Sequence, residues 1–117
     1  AEIYRLVETF EEILEALAIG QEKNNDVRVV LFVVMKEQQE LTDELKDQLR
    51  RRIKQNTTPR HVPDLIVSVA ALPRTLSGKI VELAVRAVVH NLPVKNKEAL
   101  ANPEALEYFK DIPDLQK

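Results

Sequence analysis

A lysine that directly follows a Ser-Gly pair is the residue of this sequence best suited to chemistry. It ends the segment Pro73–Lys79, which separates a short apolar run from a longer one. Glycine lets the backbone approach a ligand closely, and a lysine there can stabilise negative charge on a phosphoryl or carboxylate oxygen. A phosphate-binding P-loop needs Gly and Ser or Thr where Pro73 and Ile80 stand, so that motif is excluded. An ordinary solvated turn lysine is the alternative interpretation.

A second candidate site is a basic cluster in the middle of the chain. Such a cluster could bind a phosphorylated ligand or nucleic acid, but the solvated face of a helix has the same pattern. No aromatic residue is interleaved with it, which argues against stacking on single-stranded nucleic acid. The members of this basic cluster are Arg50, Arg51, Arg52, Lys54, Arg60 and His61.

Metal binding and nucleophilic catalysis have little support in the sequence. His61 and His90 lie far apart and neither has a carboxylate at ligand spacing, so no metal site is predicted. Ser68 and Ser77 have no His and Asp partners that suggest a catalytic triad. The chain has no cysteine, which excludes zinc–thiolate sites, thiol nucleophiles and disulfides.

Length and charge limit the domain that positions these residues. With 117 residues, 44% of them hydrophobic, the chain can form one small domain with a core but cannot enclose a nucleotide cleft on every side. The net charge of -2 favours neither a nucleic-acid nor a membrane partner. The longest apolar run, Val29–Met35, is shorter than the roughly 20 residues of a membrane span.

The first third of the chain has the pattern of a helix followed by a strand pair. Apolar residues at spacings of three and four predict a helix over residues 2–17. The pattern then shortens into a possible strand over Leu17–Gln21. After a polar turn, the β-branched run Val27–Met35 predicts a buried central strand, antiparallel to the first.

The remainder of the chain predicts helices around one more strand. Thr42 followed by two acids predicts a second helix that extends to Asn56. Residues 64–72 predict a third strand, residues 82–91 a helix, and Pro103 a further helix start. The predicted fold is therefore α+β, a small three-stranded, mainly antiparallel sheet with a β-hairpin, covered by helices.

The predicted helix over residues 82–91 is apolar except for one polar stripe. Lys79, Glu82, Arg86 and His90 follow one another at spacings of three, four and four, which places them on one side. The pattern predicts a buried helix with a single exposed edge. Lys79 would then stand at the N-terminal tip of that edge.

Family resemblance adds a specific hypothesis. The stretch Leu72–Lys79 resembles the last core motif of the acyl-adenylate-forming superfamily, which includes acyl-CoA synthetases, luciferases and the adenylation domains of peptide synthetases. The opening Ala1–Tyr4 is similar to the end of that superfamily's hinge motif, at a spacing that fits its small C-terminal domain. Three further stretches resemble the acetoacetyl-CoA synthetases within it: Pro59–Asp64, Gly78–Val85 and, most discriminating, Ala99–Leu106.

The resemblance implies a two-step ligase. Acetoacetate, or another short-chain acid such as acetate, would react with ATP to give an acyl-adenylate, with Mg2+ on the pyrophosphate, and the acyl group would pass to coenzyme A. Lys79 would contact the substrate carboxylate and phosphate oxygens in the first step, after which the domain swings to present another face. The supporting positions of the motif are Pro73, Thr75, Ser77 and Gly78.

Two further roles follow from the resemblance. Lys54 falls where related acetyl-CoA synthetases carry an arginine near a coenzyme A phosphate, so Lys54 and Arg60 are the candidate coenzyme A contacts. Pro73 and the Gly-Lys pair are also similar to the site that protein lysine acetyltransferases modify in this superfamily. Acetylation of Lys79 would remove its charge and stop the first step.

The resemblance also implies how the domain is organised. Residues 1–117 would form a single mobile C-terminal domain, with the N-terminal adenylation domain and the hinge outside this sequence. The isolated domain should turn over nothing and hold no cofactor stably, and its protein partner would be its own adenylation domain. We expect a cytoplasmic location and neither a nucleic-acid nor a membrane partner. A non-catalytic α+β module that binds nucleic acid or a protein through the basic cluster is the alternative.

Overall fold

A three-stranded mixed sheet forms the centre of the computed structural model, which describes residues 2–23, 25–57, 62–94, 97–110, 112 and 115. The strands β1 (Ile13–Lys23) and β2 (Asp26–Met35) form an antiparallel hairpin. The third strand, β3 (Leu65–Ser68), pairs with β2 in parallel and is shorter than the predicted 64–72. The predicted α+β class, the hairpin and the central position of β2 are confirmed.

Helices cover both faces of this sheet. On one face lie α1 (Glu2–Glu8) and α2 (Asp43–Asn56), and on the other lie α3 (Glu82–Val89) and a 3₁₀ helix, Pro103–Phe109. A short 3₁₀ turn, Lys97–Ala99, lies between the last two. In the part of the chain that the structure describes, no helix has the length and apolar character needed to span a bilayer.

Alternate residues of β2 supply two separate cores. Val30 and Phe32 point to the face covered by α3, called the α3 face below, and Leu31 and Val33 point to the opposite α2 face. All four side chains are completely buried. A strand buried on both faces is a near-continuous hydrophobic run, which is why this stretch stands out in the sequence.

The first helix is much shorter than predicted. Periodicity predicted a helix over residues 2–17, but α1 ends at Glu8 and β1 begins at Ile13. A β-bulge lies at this point, because Ile13 pairs with Met35 and the next partner along β2 pairs only with Glu15. The extra residue turns Ile13 to the α2 face and Leu17 to the α3 face. Two buried apolar residues four apart are also typical of a helix, but here both lie in a strand and face opposite sides of the sheet.

The polar stripe of α3 lies along the outer edge of β1. The Arg86 guanidinium donates to the Gly20 carbonyl at 3.2 Å, and the Glu22 backbone N–H donates to His90 Nε2 at 2.9 Å. His90 Nδ1 lies 2.7 Å from the Arg86 carbonyl, which can only accept. In this arrangement Nε2 accepts a hydrogen bond and Nδ1 donates one. The polar residues predicted to form an exposed side of the helix instead make hydrogen bonds with backbone groups of β1, an outer strand of the sheet.

Tyr4 of α1 covers the same edge nearer the middle of β1. Its hydroxyl accepts from the Ala18 backbone N–H at 3.1 Å and donates to the Glu82 carboxylate at 2.8 Å. Burial raises the pKa of Tyr4 to about 12, and Glu82 adds to the increase while the backbone of Ala18 opposes it. The hydroxyl thus ties α1, β1 and α3 together.

Candidate active site

The segment that carries the candidate lysine is a closed turn between β3 and α3, called the lysine loop (residues 73–79) below. The Gly78 N–H donates to the Thr75 carbonyl at 2.9 Å, and the Thr75 N–H donates to the Lys79 carbonyl at 2.8 Å. Gly78 has a φ of 89°, a conformation that glycine adopts readily. Arg74 and Ile80 pair as an isolated antiparallel bridge below the turn. The loop therefore has the geometry of a small hairpin.

The predicted supporting residues all belong to this turn. The Thr75 hydroxyl accepts from the Lys79 backbone N–H at 3.2 Å and lies 2.9 Å from the Ser77 hydroxyl. Pro73 is buried, and its carbonyl accepts from Val81 at 3.2 Å, where α3 is about to begin. The loop is thus held both by the Thr75 side chain within it and by the backbone just before α3.

Arg74 fixes the turn to the sheet. Its guanidinium forms an ion pair with Glu15 of β1 and donates to the Gly78 carbonyl at 2.8 Å. Glu15 lies just after the β-bulge, so the bulge determines where this carboxylate meets the loop. This contact has no signal in the sequence, because nothing local relates residues 15 and 74.

Lys79 projects its side chain into solvent from this braced loop. Its backbone N–H and carbonyl are both bonded to Thr75, and the residue is exposed. Among the described residues, no carboxylate lies within ion-pair distance of its ammonium group. A fixed backbone with a free ammonium group suits an anion that is supplied from outside this domain.

A second segment, residues 97–102, runs alongside the lysine loop. The Leu76 N–H donates to the Ala99 carbonyl at 3.1 Å, and the Ala101 N–H donates to the Arg74 carbonyl at 2.8 Å. Thr75 and Leu100 form an isolated antiparallel bridge between the two segments. The C-terminal part of the chain therefore contributes to the site.

The basic cluster is divided by the structure. Arg50 donates to the Pro63 and Asp64 carbonyls at 3.2 and 3.3 Å. Arg52 donates to the Thr9 hydroxyl at 2.8 Å and stacks over a phenylalanine ring of the loop after α1. These two arginines connect α2 to the segment before β3 and to the loop after α1. Arg51 and Lys54 are exposed, and Arg60 and His61 lie outside the described residues.

Lys54 and Lys79 lie on opposite sides of the domain. Lys54 is in the last turn of α2, on the α2 face of the sheet. The lysine loop joins the α3 face, where Leu72 just before it is buried and Ile80 just after it is partly buried. The two candidate contacts therefore belong to elements that pack on opposite faces of the sheet.

The other residues considered for chemistry have structural surroundings. His90 caps the edge of β1, and Ser68 ends β3 with an exposed side chain. Over the described ranges, no group of three or more His, Cys, Asp or Glu side chains is arranged to hold a metal ion.

Comparison with known proteins identifies the class to which this lysine-bearing fold belongs. The model of the AMP-binding enzyme C-terminal domain matches residues 5–79, from α1 to the lysine itself. This match covers more than half of the chain, and the chain belongs to that family.

Individual relatives agree with the resemblance seen in the sequence. An acetoacetyl-coenzyme A synthetase of Rhizobium meliloti is 58% identical over 99% of this chain. The solved acetoacetyl-CoA synthetase of Streptomyces lividans superposes on the whole chain with a TM-score of 0.86 and 33% identity. A benzoate CoA ligase of Burkholderia xenovorans superposes on 73% of the chain with a TM-score of 0.67 and 29% identity. The chain spans 18% of the length of the first two and 17% of the third.

Proposed function

We propose that this domain is the mobile catalytic domain of an AMP-forming ligase that joins acetoacetate to coenzyme A. The observation that carries the proposal is Lys79, exposed on a fixed loop and free of carboxylate partners in the described part of the chain. The acetoacetyl-CoA synthetases among the relatives support acetoacetate as the acid. Another short-chain acid is the alternative, because the acyl pocket belongs to the adenylation domain.

The proposed first step brings two anions together. A carboxylate oxygen of the acid attacks the α-phosphorus of ATP, the bond to pyrophosphate breaks, and an acyl-adenylate forms. The ammonium group of Lys79 would lie against the carboxylate and phosphate oxygens, where it offsets their repulsion and the charge that develops. Mg2+, as a proposed requirement, would neutralise the departing pyrophosphate.

The proposed second step uses the opposite side of the domain. The coenzyme A thiol attacks the acyl carbon, loses its proton, and AMP departs. Because Lys54 lies on the α2 face, a rotation of this domain that withdraws Lys79 from the active site of the adenylation domain can bring Lys54 toward that active site. We propose Lys54 and Arg60 as contacts of coenzyme A phosphates. The adenylation domain of the same protein would be the partner in both poses, and the isolated domain would be inactive.

The decisive test is Lys79→Ala in the full-length enzyme. We expect acetoacetate-dependent release of pyrophosphate to fall by about two orders of magnitude or more, the cost of losing one preorganised charge contact. Lys36→Ala, which removes an exposed lysine just after β2, is the matched control and should leave the rate unchanged. An unchanged adenylation rate in Lys79→Ala would rule out the assigned role.

Lys54 has a separate test in the same protein. Lys54→Ala should raise the KM for coenzyme A and leave pyrophosphate release in the absence of coenzyme A unchanged. The neighbouring exposed residue Arg51 provides a control variant, Arg51→Ala, for general loss of positive charge on α2. Equal effects of the two variants would show a diffuse charge effect and contradict a specific contact.

Acetylation of Lys79 is a proposed means of control. The side chain is exposed on a turn, which makes it accessible to a protein lysine acetyltransferase. Acetylation removes the ammonium charge on which the first step depends. Mass spectrometry after incubation with such an enzyme and acetyl-CoA should find a modified Lys79, and an unmodified Lys79 would reject the proposal.

We also propose a cytoplasmic location for the whole protein, which cell fractionation tests.

A further inference from the structure

The segment beside the lysine loop ends in an asparagine with an unusual set of contacts. Asn102 Oδ1 accepts from the Arg74 backbone N–H at 2.8 Å, and its Nδ2 donates to the Leu72 carbonyl at 2.9 Å. These two backbone groups flank Pro73, which has no N–H of its own. One side-chain amide therefore pairs with the chain at the entrance of the lysine loop as a neighbouring strand would.

The segment that carries this asparagine is itself anchored. Leu100 and the next buried residues along the chain, Ala105 and Leu106, are each no more than 8% exposed. Leu100 and Leu106 belong to the same core as Leu72, the residue just before the lysine loop. The asparagine is thus held by buried neighbours on both sides, and its amide transmits that fixed position to the lysine loop.

This arrangement lies near the C-terminal end of the chain. The family model ends at Lys79, and the benzoate CoA ligase superposes on 73% of the chain, whereas the Streptomyces lividans structure superposes on all of it. Residues 97–102 therefore lie beyond the part that matches the family model.

We propose that Asn102 is a positioning residue for Lys79, acting through the entrance of the lysine loop. Hydrogen bonds from the Arg74 N–H to Asn102 Oδ1 and from the Ala101 N–H to the Arg74 carbonyl, both 2.8 Å, hold the backbone of Arg74, while the 2.9 Å bond from Asn102 Nδ2 holds the Leu72 carbonyl. Arg74 in turn bonds the Gly78 carbonyl, one residue before the lysine. This inference rests on the proposed function, since it assigns Asn102 a role only in the step that uses Lys79.

Two variants of Asn102 separate the bonds in the full-length enzyme. Asn102→Ala removes both, and Asn102→Asp keeps the acceptor for Arg74 but loses the donor to Leu72. We expect adenylate formation to fall about tenfold to a hundredfold in Asn102→Ala and by less in Asn102→Asp, because small misplacements of a reacting group have effects of this size. Thioester formation from added acyl-adenylate should stay within about twofold of the unmodified enzyme, because it does not use Lys79.

Asn56→Ala is the matched control. Asn56 is an exposed asparagine whose side chain donates to the Arg52 carbonyl at 2.9 Å within α2. Both half-reactions should be unchanged in this variant. Hydrogen exchange gives a readout independent of activity: amides of residues 75–79 should exchange faster in Asn102→Ala, while those of α2 should not.

The outcomes distinguish this inference from the proposed function. If Lys79→Ala slows adenylation and neither Asn102 variant does, the positioning role is wrong and the function of Lys79 stands. If both half-reactions fall equally in the Asn102 variants, Asn102 only stabilises the fold and the proposal is overturned. If Lys79→Ala leaves adenylation unchanged, both proposals fail together. Should Asn102→Ala not fold, the same criteria apply to Asn102→Asp.

Discussion

Phe109→Ala tests whether the 3₁₀ helix Pro103–Phe109 is an integral part of the domain core. Phe109 is 1% exposed, and its ring meets Phe32 of the central strand edge-on, with centroids 4.9 Å apart at 84°. Full burial of a phenylalanine contributes about 1.5–3 kcal/mol and an aromatic pair about 0.5–1.5 kcal/mol more. With the cavity left behind included, we expect Phe109→Ala to lower the free energy of unfolding by about 3–5 kcal/mol.

Urea denaturation of the 117-residue chain, followed by far-UV circular dichroism, measures this loss. Tyr108→Ala is the control, because its side chain is the neighbouring aromatic but is 47% exposed, and it should cost less than about 1 kcal/mol. Phe109→Leu keeps most of the volume and loses the ring pair, so an intermediate loss is expected. Equal free energies of unfolding for Phe109→Ala and Tyr108→Ala would refute the packing of Phe109 and would show that the 3₁₀ helix is not an integral part of the core.

Three smaller perturbations test other parts of the fold. Thr42→Ala removes the hydroxyl that accepts from Leu45 and should lower the free energy of unfolding by about 1 kcal/mol in urea, while Thr42→Ser should restore most of it. Gly78→Ala places a Cβ at a φ of 89° with no atom within 4 Å of it, so a loss of about 1 kcal/mol should come from backbone strain alone; a neutral effect would contradict the turn geometry. The raised pKa of Tyr4 means that its stabilising effect is complete below pH 10 and is lost as pH rises toward 12. Allowing for its partial exposure, the loss should be about 1 kcal/mol, and Tyr4→Phe should abolish that part of the alkaline dependence; an identical pH profile in the variant would show that Tyr4 does not contribute.

The parts of the fold that sequence predicted well are those with strong local signals. The second helix begins after Thr42 and ends at Asn56 as expected, because a capping hydroxyl and a stripe of buried leucines act within one segment. The position of the lysine loop between a strand and a helix is also predictable from sequence, since Gly78 favours a turn with a positive φ that other residues rarely adopt.

The features that sequence missed depend on residues far apart in the chain. The spacing of Ile13 and Leu17 predicted a helix, and only the bulged pairing of β1 with β2 shows that they lie in a strand and face opposite sides of the sheet. The link from Arg74 to Glu15 crosses almost sixty positions, and the contact of Asn102 with the lysine loop crosses about thirty. Neither contact produces a periodic pattern in the sequence, because hydrophobic periodicity reflects burial within one helix or strand and these contacts join separate elements.

The covered edge of β1 has a consequence for association between chains. The central strand contains the uncharged β-branched run Val29–Met35, the kind of sequence that forms intermolecular sheets when it is offered to another chain. Within the fold it is flanked by β1 and β3, so a second chain could add only at an outer strand. On the β1 side, addition would require Tyr4, Arg86 and His90 to withdraw from Ala18, Gly20 and Glu22 together. These three side chains therefore oppose the addition of another strand at the β1 edge.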